Sequence, residues 1–252
     1  MLADFRSAHG YAATRADLLT PPVNQPKLGK SERRSYSLML TPSDGVGIDG
    51  IDLCPLASPG CKLGCLGPTA GKGRMSSVRK SRNVRTIFMV KHPQEFAVLL
   101  MWEIIRTARR ESDPILVRLN CVSDIRWELA AELLKLCQLY SPDQSLEFYD
   151  YTAWTARFRS EIPGLYSLTY SRKETGVLSR ESTIRDTLAS GGNVAVVFDT
   201  SKGEPLPTEW LGMPVLDGTV SDDRTADMPG HIVGLRALGD ARKDTSGFVV
   251  TT

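Results

Sequence analysis

The sequence predicts an α/β fold built on a parallel sheet, and three observations support this. Near-continuous apolar segments of strand length recur after residue 110, they alternate with segments of helical period, and glycine or polar residues separate them. Predicted strands occupy residues 115–120, 145–152, 166–172, 193–199, 214–218 and 231–237. Helices are predicted over residues 127–140 and 178–190, after two earlier helices that begin near Ser76 and Pro93.

The first 75 residues have a different character. The first 35 are polar and rich in proline and lysine, residues 36–40 predict a short strand, and residues 41–75 predict a long loop of glycine, proline and cysteine. We therefore expect two regions: an arm with a cysteine loop over residues 1–75, and a strand–helix region over residues 76–252.

Composition limits the class of protein. With 41% hydrophobic and 24% charged residues the chain is typical of a globular protein, and a net charge of +2 argues against binding nucleic acid through bulk charge. No signal peptide is recognisable, and the longest apolar run, over residues 96–105, is too short for a membrane span of about 20 residues. These features predict a cytoplasmic protein with reduced thiols and no membrane partner.

Three cysteines in the loop form the most specific motif. Cys54, Cys61 and Cys65 have the spacing C-x6-C-x3-C among prolines and glycines that allow sharp turns. Clustered thiolates in a reducing compartment indicate zinc or an iron–sulfur cluster. A fourth ligand would come from Cys121, from a histidine (His9, His92 or His231), from water or from a substrate. Cys137 lies in an apolar helical segment and is expected in the core.

Polar residues follow the predicted strands, where parallel sheets bind ligands. Asp124, Asp150, Arg172 and Asp217 are candidate catalytic residues, although any one of them alone is better explained as a loop start or a helix cap. The basic segment that contains Arg79, Lys80, Arg82 and Arg85 predicts a face for a partner protein or DNA, or else an ordinary solvated face.

Several segments, in order, resemble a family of actinobacterial phage proteins: LCPLASPGCKLGCL, RLNCVSD, FYDYT, NVAVVF and GHIVGLRALGDARKD. The same order is similar to phage proteins described as radical-SAM-like. This resemblance implies a partial (βα)6 TIM-type barrel with Cys54, Cys61 and Cys65 as cluster ligands. It implies a cofactor site, with S-adenosylmethionine as the candidate, at Asn120, Ser123, Gly230 and Gly234.

The opening ADFRSAHGYAATRADLLTPP resembles mycobacteriophage recombination directionality factors, which partner a serine integrase and assist DNA replication. Radical-SAM enzymes usually space their cysteines C-x3-C-x2-C, and the spacing here departs from that. The sequence therefore favours a metal-bearing accessory protein that binds a phage recombinase or replication protein and meets DNA only indirectly or weakly. The alternative is a radical-SAM-type enzyme that modifies a nucleotide or another small substrate.

Overall fold

The computed structural model describes residues 1–8, 17–24, 33–69, 71–143, 145–155 and 166–252. These residues contain seven α-helices: α1 (Leu2–Ala8), α2 (Pro59–Leu63), α3 (Leu66–Thr69), α4 (Ser76–Lys91), α5 (Pro93–Arg110), α6 (Ala131–Leu139) and α7 (Glu181–Ala189). They also contain ten strands: β1 (Leu19–Thr20), β2 (Arg34–Leu38), β3 (Ile115–Arg118), β4 (Leu146–Thr152), β5 (Tyr166–Ser171), β6 (Asn193–Phe198), β7 (Glu209–Trp210), β8 (Met213–Asp217), β9 (Ile232–Arg236) and β10 (Val249–Val250).

The strands form one largely parallel sheet in the order β1-β2-β3-β4-β5-β6-β9-β8-β7, and β10 pairs with β6. Pairings from β2 to β8 are parallel, whereas β1 and β7 add antiparallel edges. The predicted α/β class is confirmed, and each strand predicted after residue 110 has a counterpart. In the described residues the sheet does not close on itself, because the antiparallel strands β1 and β7 end its two edges. A closed barrel is therefore not formed, and the radical-SAM-like partial barrel stays a prediction.

The helices pack on one face of the sheet. Tyr166 belongs to the apolar cluster that includes residues of α4, α5 and α6, and Tyr170 belongs to the cluster that includes residues of α7. These two tyrosines lie four residues apart in β5 and so share a face. Their neighbours in the adjacent strands, Phe148 and Val194, belong to the same two clusters. Both cores therefore lie between the helices and a single face.

The opposite face carries charged side chains that contact the chain after β8. Arg118 at the end of β3 donates from Nη1 to Asp222 Oδ2 at 3.1 Å, and Arg33, just before β2, donates from Nε to Asp223 Oδ2 at 3.0 Å. Burial lowers the pKa of Arg118, but the nearby carboxylate of Asp222 outweighs this and holds the pKa above its usual value. Ion pairs therefore attach residues 222–223 to the first strands of the sheet.

Between residues 33 and 75, the described part of the chain is more ordered than the predicted loop. It contains α2, α3 and a 3-10 helix at Gly71–Arg74, and β2 pairs with β3 within the main sheet. The predicted boundary between the two regions at residue 75 therefore falls between β2 and β3, which pair with each other in the sheet. Among the described helices, none is both long enough and apolar enough to cross a membrane.

Candidate iron–sulfur or metal site

The cysteine loop is shaped by the short helix α2. Ser58 precedes the helix, its side chain accepts a hydrogen bond from the Cys61 N–H, and Pro59 occupies the first turn. Gly64 ends the helix. Cys61 and Cys65 are therefore about one helical turn apart in sequence, on either side of that end.

Glu174, after β5, binds the loop through both carboxylate oxygens. Oε2 accepts from Ser58 Oγ at 2.5 Å, and Oε1 accepts from the Gly60 N–H at 2.6 Å. On the other side, a Cβ placed on Gly60 would lie 2.4 Å from both Phe248 Cβ and Ser246 Oγ. Only glycine allows the loop to lie this close to the C-terminal segment.

Cys54 is brought in by the segment that follows β3. The Asp124 N–H donates to the Leu53 carbonyl at 2.7 Å, and the Cys54 thiol lies 3.7 Å from the Val122 carbonyl. The Ser43 N–H donates to Cys54 Sγ at 3.3 Å. The loop is thus anchored at the C-terminal ends of both β3 and β5.

The three thiols are close enough to affect one another's ionisation. Burial is the largest cause that raises the pKa of Cys54 to about 12; a backbone hydrogen bond from Ser43 opposes the rise, and the proximity of Cys65, Asp124 and Cys61 adds to it. Burial also raises the pKa of Cys65, with a smaller rise from Cys61. The protein therefore brings Cys54, Cys61 and Cys65 into one region.

Two cations lie beside the thiols. Lys173 Nζ is 3.1 Å from Cys61 Sγ, and Arg82 Nη1 donates to the Gly67 carbonyl at 2.7 Å. Both side chains act to lower the pKa of Cys65, although burial outweighs them. A positive surrounding of this kind suits thiolates bound to iron or zinc.

The three thiols lie in one region but do not form a ready site for a single ion. In the described part of the chain, no three His, Cys, Asp or Glu side chains are placed to hold one metal ion.

Asp124 is the catalytic candidate beside the thiols, since it contributes to the raised pKa of Cys54. Its Oδ2 accepts from the Ala153 N–H at 2.8 Å. The predicted cofactor residues Asn120 and Ser123 lie in the same turn, where Asn120 Oδ1 accepts from Ser123 Oγ at 3.0 Å. Both side chains hold the turn that carries Asp124.

The other catalytic candidates take part in structural contacts. Asp150 is fully buried and accepts from the Asn120 N–H and from Tyr166 Oη, both at 2.7 Å. Arg172 donates to the Phe248 carbonyl at 3.0 Å, and Asp217 accepts from the Thr219 N–H at 2.9 Å. These side chains join strands and loops.

The two glycines of the predicted cofactor strand lie away from the thiols. Gly230 has a φ of +73° in the turn before β9. This turn lies at the N-terminal ends of the parallel strands, whereas the cysteine loop lies at their C-terminal ends. Gly234 lies within β9, where a Cβ would be 2.8 Å from Val215 Cγ1. Backbone conformation explains the first glycine, and close packing explains the second.

Of the candidate fourth ligands, His92 and His231 lie in different parts of the fold. His92 packs against Phe5 among the helices, and His231 lies at the start of β9, with Nδ1 2.8 Å from the Pro229 carbonyl. His9 lies outside the described residues. Cys121 follows β3, its pKa is raised by burial, and Arg118 opposes that rise.

The predicted basic face is divided by the structure. Arg79 and Lys80 are exposed. Arg82 and Arg85 are each 4% exposed, and Arg85 donates to the Asp17 carbonyl at 3.0 Å. The assignment of Arg82 and Arg85 to a partner or DNA surface is therefore corrected, because their guanidinium groups hold loops inside the protein.

Sequence reasoning missed Lys173 and Glu174. Both residues could have been identified from their position directly after the strand that ends at Ser171, because they follow Arg172, which the sequence predicted as a catalytic candidate. The expectation that Cys137 is a core residue is confirmed, since it is fully buried in the cluster under α6.

Comparisons with known proteins give one match. No curated protein and no solved structure matches the chain. The model of the family described as Gene product 88 matches residues 12–252, which is nearly the whole chain. The chain therefore belongs to the Gene product 88 family, a family of phage proteins.

Proposed function

We propose that this phage protein carries an iron–sulfur cluster on Cys54, Cys61 and Cys65 and acts as a radical-SAM-type enzyme on a nucleotide or another small substrate. The observation that carries the proposal is that contacts at the C-terminal ends of β3 and β5 hold the segments of all three thiols in one region, with Lys173 beside Cys61. Ligands of α/β proteins bind at that edge.

The order of the strands supports a partial (βα)6 barrel. From β2 to β6 each parallel strand lies beside the one before it in the chain, without the reversal of order that marks a doubly wound sheet; the order reverses at β9, which lies between β6 and β8. Because parallel crossovers are right-handed, successive steps in one direction place the helices on one face. The apolar clusters agree with this arrangement.

The ion pair between Arg33 and Asp223 supports curvature of the sheet. Six strand spacings separate β2 from β8 in the sheet order, about 29 Å if the sheet were flat. The six backbone steps from Asp217 to Asp223 span at most about 21 Å, and the two side chains with their hydrogen bond add roughly 10 Å. Arg33 also precedes the start of its strand, whereas Asp217 ends β8. The contact is most easily made if the two edges curve toward each other.

When bound, a cluster with an open iron site supplies the electron that cleaves S-adenosylmethionine. The residues of the chain position and enclose the site. Glu174 and the C-terminal segment hold the loop over the strand ends, and Asp124 presents a carboxylate beside Cys54. Both thiolate ligation and this chemistry suit the reducing cytoplasm of the host cell.

The test is purification without oxygen followed by metal analysis. We expect iron and sulfide, a brown colour, and cleavage of S-adenosylmethionine after reduction. Cys61→Ser is expected to lose the iron and to expose residues 41–75 to protease, whereas the matched control Cys137→Ser retains the iron. A colourless protein that contains zinc, or no metal, would contradict the proposal.

A second candidate function is binding of a phage serine integrase or replication protein, as a recombination directionality factor does. One observation favours it. The cysteine loop exposes Leu56, Leu63, Leu66 and Met75 by 39–53%. Exposed apolar side chains beside basic residues are typical of a face that binds another protein.

This candidate is tested by co-migration with a serine integrase on attachment-site DNA. We expect Leu63→Glu to abolish co-migration, because it puts a charge into the apolar face. Val177→Glu introduces the same charge at an exposed valine outside the loop and serves as the control. Absence of co-migration by the wild type, with and without DNA, would exclude this function.

A further inference from the structure

Lys173 is a buried lysine whose ammonium group faces a sulfur atom. It follows β5, is 8% exposed, and places Nζ 3.1 Å from Cys61 Sγ. On its other side Nζ lies 5.4 Å from the centre of the Phe248 ring. Removing an ammonium group from water is costly unless an anion compensates it.

No carboxylate among the described residues forms an ion pair with Lys173. The adjacent Glu174 directs its two oxygens to Ser58 and Gly60 instead. The group placed to compensate the charge is therefore the sulfur of Cys61. The pKa of Cys65 also responds to Lys173, so the ammonium group acts on two of the three sulfurs.

We propose that Lys173 is a positioning residue that holds the Cys61 thiolate and raises the reduction potential of the bound cluster. The inference rests on the proposed function and assigns Lys173 a role at the same site. Reduction adds one negative charge to a cluster that already carries thiolates. A fixed cation at a partly dehydrated site stabilises the more negative state more strongly, so the potential rises.

The experiment measures the reduction potential of protein loaded with its cluster, by titration with a reductant under anaerobic conditions. Lys173→Gln removes the charge and keeps an N–H donor, and Lys173→Arg keeps the charge. We expect a shift to a more negative potential in Lys173→Gln and a potential close to that of the wild type in Lys173→Arg. The matched control is Lys135→Gln, which removes the charge of an exposed lysine paired with Glu132.

The outcomes separate this inference from the proposed function. A wild-type protein without a cluster refutes the proposed function. A wild type with a cluster, together with an unshifted potential in Lys173→Gln, refutes the role of Lys173 and leaves the site intact. Loss of the cluster in Lys173→Gln but not in Lys173→Arg supports the inference that a positive charge at this position is needed to hold the Cys61 thiolate. Loss in both variants overturns the inference, because shape and packing would then explain it.

Discussion

Glu174 is expected to control the order of the cysteine loop, and Glu174→Ala tests this. The substitution removes the acceptor for Ser58 Oγ and for the Gly60 N–H. A hydrogen bond to a charged group contributes about 1.5–3 kcal/mol, and the lower value applies here because Glu174 is partly exposed. Two such bonds give about 3 kcal/mol, or roughly a hundredfold increase in local opening.

Hydrogen exchange of the peptide that spans residues 54–65 measures this opening directly. We expect exchange to accelerate in Glu174→Ala while protection of the central strands is unchanged, because the lost contacts are local. Glu181→Ala removes an exposed glutamate that is paired with Arg185 and is the matched control. Unchanged exchange in Glu174→Ala would show that packing against the C-terminal segment alone holds the loop.

Three further substitutions test the interior by unfolding in denaturant. Cys137→Ala should lower the free energy of unfolding by about 1–2 kcal/mol and leave the metal content intact; loss of metal would contradict its place in the core. Asp222→Asn removes the nearer of the two carboxylates that pair with the buried Arg118, since Asp150 lies 3.8 Å from Arg118 Nε, and should cost about 3 kcal/mol; a smaller loss in the double variant with Arg118→Met would show coupling. Burial raises the pKa of Glu103, despite hydrogen bonds from Leu19 and Leu18. Its contribution is therefore fully present below the unfolded pKa and is lost as pH rises through the folded value. The stability of wild type relative to Glu103→Gln should fall as the pH rises above about 4, the pKa of a glutamate in the unfolded chain, and a rise would refute the reasoning.

Much of the sheet is predictable from sequence because its strands are short apolar segments buried on the helix-covered face. Residues 193–198, for example, form β6 within the predicted strand 193–199. The order of the last strands was not predictable. β9 lies between β6 and β8 although it follows β8 in the chain, and no local pattern encodes which neighbour a strand selects.

The ordered loop was missed for a different reason. Helices α2 and α3 have only five and four residues, which is too short for helical periodicity to be visible. The stability of α2 depends on the Ser58 cap and on long-range contacts from Glu174. A sequence pattern contains the cap but not the partner, which lies more than a hundred residues away.

The basic residues of α4 also show that a local sequence pattern does not reveal long-range partners. Sequence reasoning treats lysine and arginine as exposed by default, which holds for Arg79 and Lys80. It fails for Arg82 and Arg85, since backbone carbonyls of distant loops accept from their guanidinium groups. These buried arginines therefore support the site and leave the exposed apolar residues of the loop as the stronger candidate for a partner surface.

The unusual cysteine spacing was the main argument from sequence against radical chemistry, and the geometry weakens it. The interval of six residues between Cys54 and Cys61 contains the turn that leads into α2, so the extra length is taken up before the helix begins. Cys54 is brought back to the other thiols by the hydrogen bond from Asp124 to Leu53. The spacing then decides which backbone segment carries each thiol, whereas contacts at the strand ends bring the three segments into one region. For this reason we favour the radical-SAM-type enzyme over the partner-binding protein. The iron content of protein purified without oxygen distinguishes an active cluster from a structural zinc site.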